Sequence, residues 1–172
     1  MLPWVVRWQY QFVGRSYKFV IRYGGSLKWS ADYAKLGAVS IKRINVVGAV
    51  IVRAGKILCA QRGPSGNLGG MWEVPGGKIE ADETPREALV REIDEELLCK
   101  VVVGDEVTTT TYDYDFGRVT LTTFWCELLD GEPSLTEHDD VVWLSPEELP
   151  NLDWAPADRP AVELIVKQCR PI

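Results

Sequence analysis

Between Gly76 and Leu97 the chain reads GGKIEADETPREALVREIDEEL, and no other stretch restricts its folding as tightly. Thr84 stands where a helix N-cap is expected, Pro85 opens the first turn, and Glu87, three positions after Thr84, completes a capping box. Ala88, Leu89, Ile93 and Leu97 then form an apolar stripe that commits one helix face to a core. Residues three and four apart share a face, so Glu92, Glu95 and Glu96 crowd together on the side away from Ile93. Carboxylates at this spacing repel and destabilise a helix unless a cation neutralises them. Oxygen ligands of such density suit a hard ion, Mg2+ with Mn2+ as a substitute, and these ions borrow further ligands from substrate phosphates. A solvated acidic face is the simpler alternative, but it leaves Gly76-Gly77, Glu83 and Arg91 without a reason.

The rest of the chain supplies strands to pack against that helix. INVVGAVIVR and KILCAQR are apolar, β-branched runs joined at Ala54-Gly55 and read as core strands. RGPSGNLGG must be loop. EVTTTTYDY and RVTLTTFWCELL read as strands on either side of Asp115-Phe116-Gly117. The loop EPSLTEHDD, a short strand VVWL, a helix started by SPEEL and a last helix beginning near PADRP follow. This order predicts an α+β domain, a mixed sheet with helices, over residues 44–172. Hydrophobic residues at 46% and charged residues at 26% give the balance of a soluble globular protein. Cys59, Cys99, Cys126 and Cys169 form no CxxC pair, which predicts a reducing, cytoplasmic setting with no metal knuckle and no disulfide framework. The sequence offers no apolar run long enough to enter a membrane.

Residues 1–43 form a separate basic, aromatic extension. They hold eight Lys/Arg against the single acid Asp32, whereas residues 44–172 hold eleven against twenty-four acids. WVVRWQYQF and SYKFVIRY alternate around Val13-Gly14-Arg15 and predict a β-hairpin. Aromatic and basic residues together also describe a platform for single-stranded nucleic acid. A hairpin packed on the domain or on a second subunit, or an upstream extension with little role, is together the favoured reading, because alternating aromatics are first of all strand formers. The chain is expected to be a monomer or a homodimer.

Taken in register, Gly77, Glu83, Arg91-Glu92-Ile93 and Glu95-Glu96 resemble the Nudix box, GX5EX7REUXEEXGU, with U a bulky apolar residue. Two positions depart: Leu98 stands where the box has Gly, predicting a different helix C-cap, and Cys99 stands where it usually has Ile, Leu or Val. The resemblance implies the Nudix fold, a mixed sheet sandwiched between helices (α/β/α). It also implies hydrolysis of a nucleoside diphosphate linked to another moiety. Carried over position by position, Glu92 and Glu96 become the main metal ligands, Glu95 a further ligand or water contact, and the Gly76 carbonyl an added oxygen. Arg91 and Glu83 become a structural salt bridge.

Gly77, Lys78 and Arg62 are candidate phosphate partners. MWEVPGGK, DGEP and VVWLSPEEL narrow the likeness to MutT-type nucleoside triphosphate pyrophosphohydrolases, in which a loop glutamate matching Glu137 serves as a further ligand or base. The neighbouring His138 reads as a solvated bystander. In DWAPADRP, Asp158 matches the position that reads the base, and the APAD pattern is similar to that of CTP pyrophosphohydrolases. An ionised Asp158 suits the amino group of cytosine, a protonated one a purine carbonyl. Tyr112 reads equally as a ring that stacks on a base and as a strand residue of the core.

The implied activity is therefore Mg2+-dependent cleavage of a cytidine-type or oxidised nucleoside triphosphate to monophosphate and diphosphate. The alternatives are another nucleoside diphosphate derivative (dinucleotide, nucleotide sugar or capped RNA) and a non-catalytic binding module.

Overall fold

The computed structural model describes residues 9–13, 16–23, 26–29, 41–134 and 138–168. The chain divides into two units, Met1–Ser40 and Ile41–Ile172. In the first, β1 (Gln9–Val13), β2 (Ser16–Tyr23) and β3 (Ser26–Trp29) form an antiparallel sheet in that order. Val13 pairs with Ser16 and Tyr23 with Ser26, so a second hairpin follows the one expected from the sequence. The boundary expected at 43/44 falls inside the second unit, because Arg43 already pairs with Arg118.

The second unit is built on β4 (Arg43–Arg53), β5 (Lys56–Arg62), β6 (Trp72–Glu73), β7 (Lys100–Tyr114), β8 (Gly117–Asp130) and β9 (His138–Leu144). The strand order is β6-β5-β4-β8-β7 with β9 on β5. The β4–β8 pair is parallel and the other pairs are antiparallel. Along β4, alternate residues serve opposite faces. Val47, Ala49 and Ile51 join Leu58 under helix α1 (Pro85–Leu97), while Val50 joins Ile57 and Cys59 under Trp154, Val162 and Ile165 on the other side. Val162 and Ile165 belong to helix α2 (Arg159–Gln168). The sheet is thus sandwiched between helices, an α/β/α arrangement.

One departure from a regular sheet makes room for a site. β4 and β5 pair only at Val52–Ile57 and Arg53–Lys56, then diverge. The segment after the glycine-rich loop enters the fork: β6 pairs with β5, while Val47 N–H donates to Gly77 O and Ala49 N–H to Pro75 O. Gly48 permits this approach, since a Cβ there would collide with Val74. The segment 74–77 is in this way wedged between two strands.

Two local expectations fail. SPEEL starts no α-helix; Pro146 opens a turn that runs into a single 3-10 turn, Leu149–Asn151, with Pro150 inside it. The loop EPSLTEHDD ends sooner than expected, because β9 already begins at His138. Glu137 lies outside the described residues. No helix among the described residues is long and apolar enough to cross a membrane, and Cys59, Cys99 and Cys126 are free and buried.

Candidate active site

Helix α1 starts as its sequence dictates. Thr84 Oγ1 accepts from Glu87 N–H, and the Glu87 carboxylate accepts from Thr84 N–H at 2.8 Å, closing the capping box. Its apolar stripe, Ala88, Leu89, Ile93 and Leu97, is fully buried. At the other end Leu98 adopts the left-handed conformation itself (φ 54°, ψ 35°), so the C-cap that glycine would favour is kept despite the substitution.

Arg91 organises the polar face. Its guanidinium donates to both oxygens of Glu83 (2.6 and 3.1 Å), to Glu92 Oε1 (2.9 Å), to Glu95 Oε2 (3.2 Å) and to the carbonyl of Lys78 (3.0 Å). Hydrogen bonding to Glu83, then the charges of both glutamates, hold Arg91 protonated against partial burial. Glu83 is held below the usual carboxylate range by Arg91 and by Glu80 N–H. The ion pair fixes loop 77–83 to the helix.

Glu92 and Glu96 line a cavity of about 670 Å³, together with Gly76, Gly77, Lys78 and Arg62. Glu95 does not: its side chain is 62% exposed and turned to Arg91. The three glutamates are therefore not equivalent. Gly76 (φ +150°) sits so close to β4 that a Cβ would strike the Val47 carbonyl, and one on Gly77 would fall within the Glu92 carboxyl group. Only a glycine pair lets the loop backbone pass between strand and carboxylate. The Pro75 and Gly77 carbonyls accept from β4, and Gly76 between them lines the cavity. Oxygen donors from Glu92, Glu96 and Gly76 fit a hard divalent ion that completes its shell with water and phosphate. Among the described residues no three His, Cys, Asp or Glu side chains already form a metal cluster.

The opposite wall comes from distant parts of the chain. Asp158 is 5% exposed, and its Oδ1 accepts Val74 N–H at 3.1 Å. Burial, reinforced by the Glu73 charge, pushes its pKa up to about 8 against the pull of Val74 N–H and Arg62. Its backbone carbonyl opens α2 by accepting Val162 N–H, while its side chain reaches into the fork instead of capping the helix. Tyr114 and Phe116 line the cavity with rings stacked at 4.8 Å and 10°, and the Tyr114 hydroxyl accepts Ala157 N–H at 2.9 Å. Tyr112, the residue expected to stack on a base, is 42% exposed and outside the cavity wall, one strand repeat short of it.

His138 is no solvated neighbour. Its side chain is 5% exposed and lines the cavity, with Nε2 bonded to Glu73 Oε1 at 3.2 Å. A register shift between Gln61 and Arg62 brings His138 opposite Arg62, and Arg62 Nη1 donates to Glu73 Oε2 at 2.6 Å. Hydrogen bonding to Glu73 raises the His138 pKa against burial, helped by the charges of Glu96 and Glu73. Glu73, Tyr114 and Phe116 escape sequence reasoning. Glu73 stands inside the quoted WEVPGG, but nothing local marks its role. Tyr114 shares strand parity with Tyr112, and only the position of the β7–β8 turn separates them.

Comparison with known proteins agrees with this geometry. The chain is 40% identical over 133 residues to "CTP pyrophosphohydrolase" of Escherichia coli K12, covering 76% of this chain and 98% of that one. It is 36% identical over 84 residues to "8-oxo-dGTP diphosphatase" of Proteus vulgaris, covering 48% of this chain and 75% of the relative. The solution structure of the MutT protein from methicillin-resistant Staphylococcus aureus 252 matches with 55% identity and a TM-score of 0.64, over 74% of this chain and 98% of that chain. The NUDIX domain model matches residues 46–164, and the chain accordingly belongs to the Nudix hydrolase family, as an enzyme.

Proposed function

We propose that the protein hydrolyses nucleoside triphosphates to monophosphate and diphosphate with Mg2+, Mn2+ substituting, and that it favours cytidine-type or oxidised bases. The observation that carries this reading is one cavity lined both by the Glu92 and Glu96 carboxylates and by a buried Asp158 beside stacked aromatic rings. The relatives named for CTP and for 8-oxo-dGTP support the same substrate class.

Glu92, Glu96 and the Gly76 carbonyl would hold the ion, whose chemistry there is to neutralise polyphosphate charge and to acidify water for attack on phosphorus. Lys78 and Arg62 stand on the same cavity and orient the phosphates, Arg62 with a planar fork of donors. Glu83 and Arg91 hold the loop that carries Gly77 and Lys78. Glu137, outside the described residues, is the sequence candidate for proton acceptance from water. Tyr114 and Phe116 offer a stacking face for the base.

Asp158, with a pKa near 8, is mostly protonated at neutral pH. Its Oδ1 is engaged by Val74, so the remaining hydroxyl donates to a base carbonyl or ring nitrogen. That pairing fits O2 or N3 of cytosine as well as the carbonyls of an oxidised purine. Reading the cytosine amino group with an ionised carboxylate belongs to higher pH.

The test is a panel of canonical, methylated and oxidised triphosphates at equal concentration with Mg2+, with product analysis. Diphosphate release is expected, fastest with cytidine-type or oxidised substrates. Glu96→Gln is expected to lower kcat about 1,000-fold. Release of orthophosphate alone, or equal turnover by Glu96→Gln, would overturn the reading.

A further inference from the structure

The loop between β5 and β6 borders the cavity, and one of its residues is held in a conformation that its side chain resists. Gly66 and Gly70 take positive φ (+91° and +79°), where a glycine has no Cβ to oppose it. Leu68, between them, does the same with a leucine (φ 63°), an outlier that the surrounding structure has to enforce. Hydrogen bonds supply that enforcement: Met71 N–H donates to the Leu68 carbonyl at 3.2 Å, Gly70 N–H to Arg62 O at 3.0 Å, and Gln61 Nε2 to Gly70 O at 2.9 Å. From Pro64 to Gly70 every residue is exposed except Leu68, which is half-buried. Its side chain belongs to neither of the two apolar cores on the faces of the sheet; it lines the active-site cavity. In the strand order β5 and β6 stand on one side of β4, and β8 and β7 on the other. The β5–β6 loop and the β7–β8 turn therefore reach the cavity from opposite sides, the first with Leu68 and the second with the stacked rings of Tyr114 and Phe116.

We propose that Leu68 is a substrate-binding residue: its side chain closes on the nucleoside from the side facing Tyr114 and Phe116, and the left-handed backbone is kept because it aims the side chain there. This rests on the nucleoside triphosphate reading above. Glycine, which that backbone favours, leaves this side of the nucleoside open to water. The contact is aliphatic, so it grips the nucleoside without reading a hydrogen-bond pattern. Its effect falls on affinity and is shared by cytidine-type and oxidised purine substrates. The phosphates, held at the Glu92 and Glu96 end of the cavity, do not meet it.

The experiment compares the full-length protein with three variants. Leu68→Gly removes the side chain and relieves the backbone, Leu68→Asn tolerates the left-handed conformation but is polar, and Leu68→Met restores an apolar side chain. For Leu68→Gly the urea midpoint is expected to rise by roughly 0.5 M, while KM for CTP and for 8-oxo-dGTP rises about tenfold each with kcat near the wild-type level. Leu68→Asn is expected to raise KM to the same extent, and Leu68→Met to keep it near the wild-type value. Inhibition by inorganic tripolyphosphate, which carries no nucleoside, is expected to be unchanged in all three. Wild-type KM in Leu68→Asn, or tripolyphosphate binding weakened as much as nucleotide binding, would overturn the proposal, since the first denies the contact and the second points to a displaced loop. Wild-type protein inactive on every triphosphate would sink the substrate reading. The urea midpoint is read without substrate, and a fall in it for Leu68→Gly sinks the role of Leu68 whatever the activity.

Discussion

On α1, Glu92 and Glu96 lie one turn apart and Glu92 is tied to Glu83 through Arg91, so that wall is assembled from a single short run of sequence. The wall around Asp158 is assembled across the fold. Val74 and its partner Asp158 are 84 positions apart, and Glu73 and His138 are 65 apart. The first wall is charged and tied to one arginine. The second is buried, and its leading carboxyl is kept neutral by its surroundings. Under the proposed function, chemistry that any substrate of the class needs is held locally, while discrimination between substrates depends on tertiary packing.

The comparison breaks most readily at Arg91. Arg91→Met keeps the helix but removes five hydrogen bonds, leaving the loop that carries Gly77 and Lys78 untied from α1. Misplacement of positioning groups by an ångström costs on the order of 100-fold, and a loss of kcat of about that size is expected with a native circular dichroism spectrum. If kcat is retained, the α1 wall does not depend on its arginine and the contrast with the Asp158 wall is lost.

That same contrast explains what was legible beforehand. Helix α1 and its capping box could be read because each depends on residues within a few turns of one another, whereas the Glu83–Arg91 pair followed from the resemblance to the Nudix box. The β4 and β5 runs were legible as strands, but their early divergence was not, since the wedge that parts them comes from residues 75–77. His138 was misread because its acidic sequence neighbours suggest solvent, whereas the bulge at Gln61/Arg62 turns it into the cavity. Tyr114 escapes the sequence for lack of any local signal that says where β7 ends. The extra strand β3 in the first unit was hidden in the short run SLKW, which is barely long enough to alternate.

A second prediction sharpens the character of the Asp158 wall. The ordinary carboxyl value is 3.8 and the folded value about 8, so the folded state binds more protons between them. Stability from this group is fully present below 3.8 and is lost as pH rises through 8. Between pH 6 and pH 8 the loss is about 2 kcal/mol for one such group. Urea denaturation at the two pH values should show this loss in the wild type relative to Asp158→Asn, which cannot ionise. A constant difference between the two proteins would mean that Asp158 is ionised throughout and that the wall reads bases as an acceptor.

The smallest effect lies at the end of the α1 wall, where this chain departs from the Nudix box. Leu98 holds a left-handed backbone that costs a side-chain-bearing residue about 1–2 kcal/mol relative to glycine. Its side chain is 60% exposed, so little apolar burial compensates. Leu98→Gly also gives the unfolded chain more freedom, which takes back part of the gain. A net stabilisation of about 1 kcal/mol is expected in urea denaturation. The substitution touches neither Glu92 nor Glu96, so kcat should stay at the wild-type level. A destabilised Leu98→Gly would show that Leu98 supports the turn into β7 through contacts of its own, and that the α1 wall also draws on packing beyond the helix.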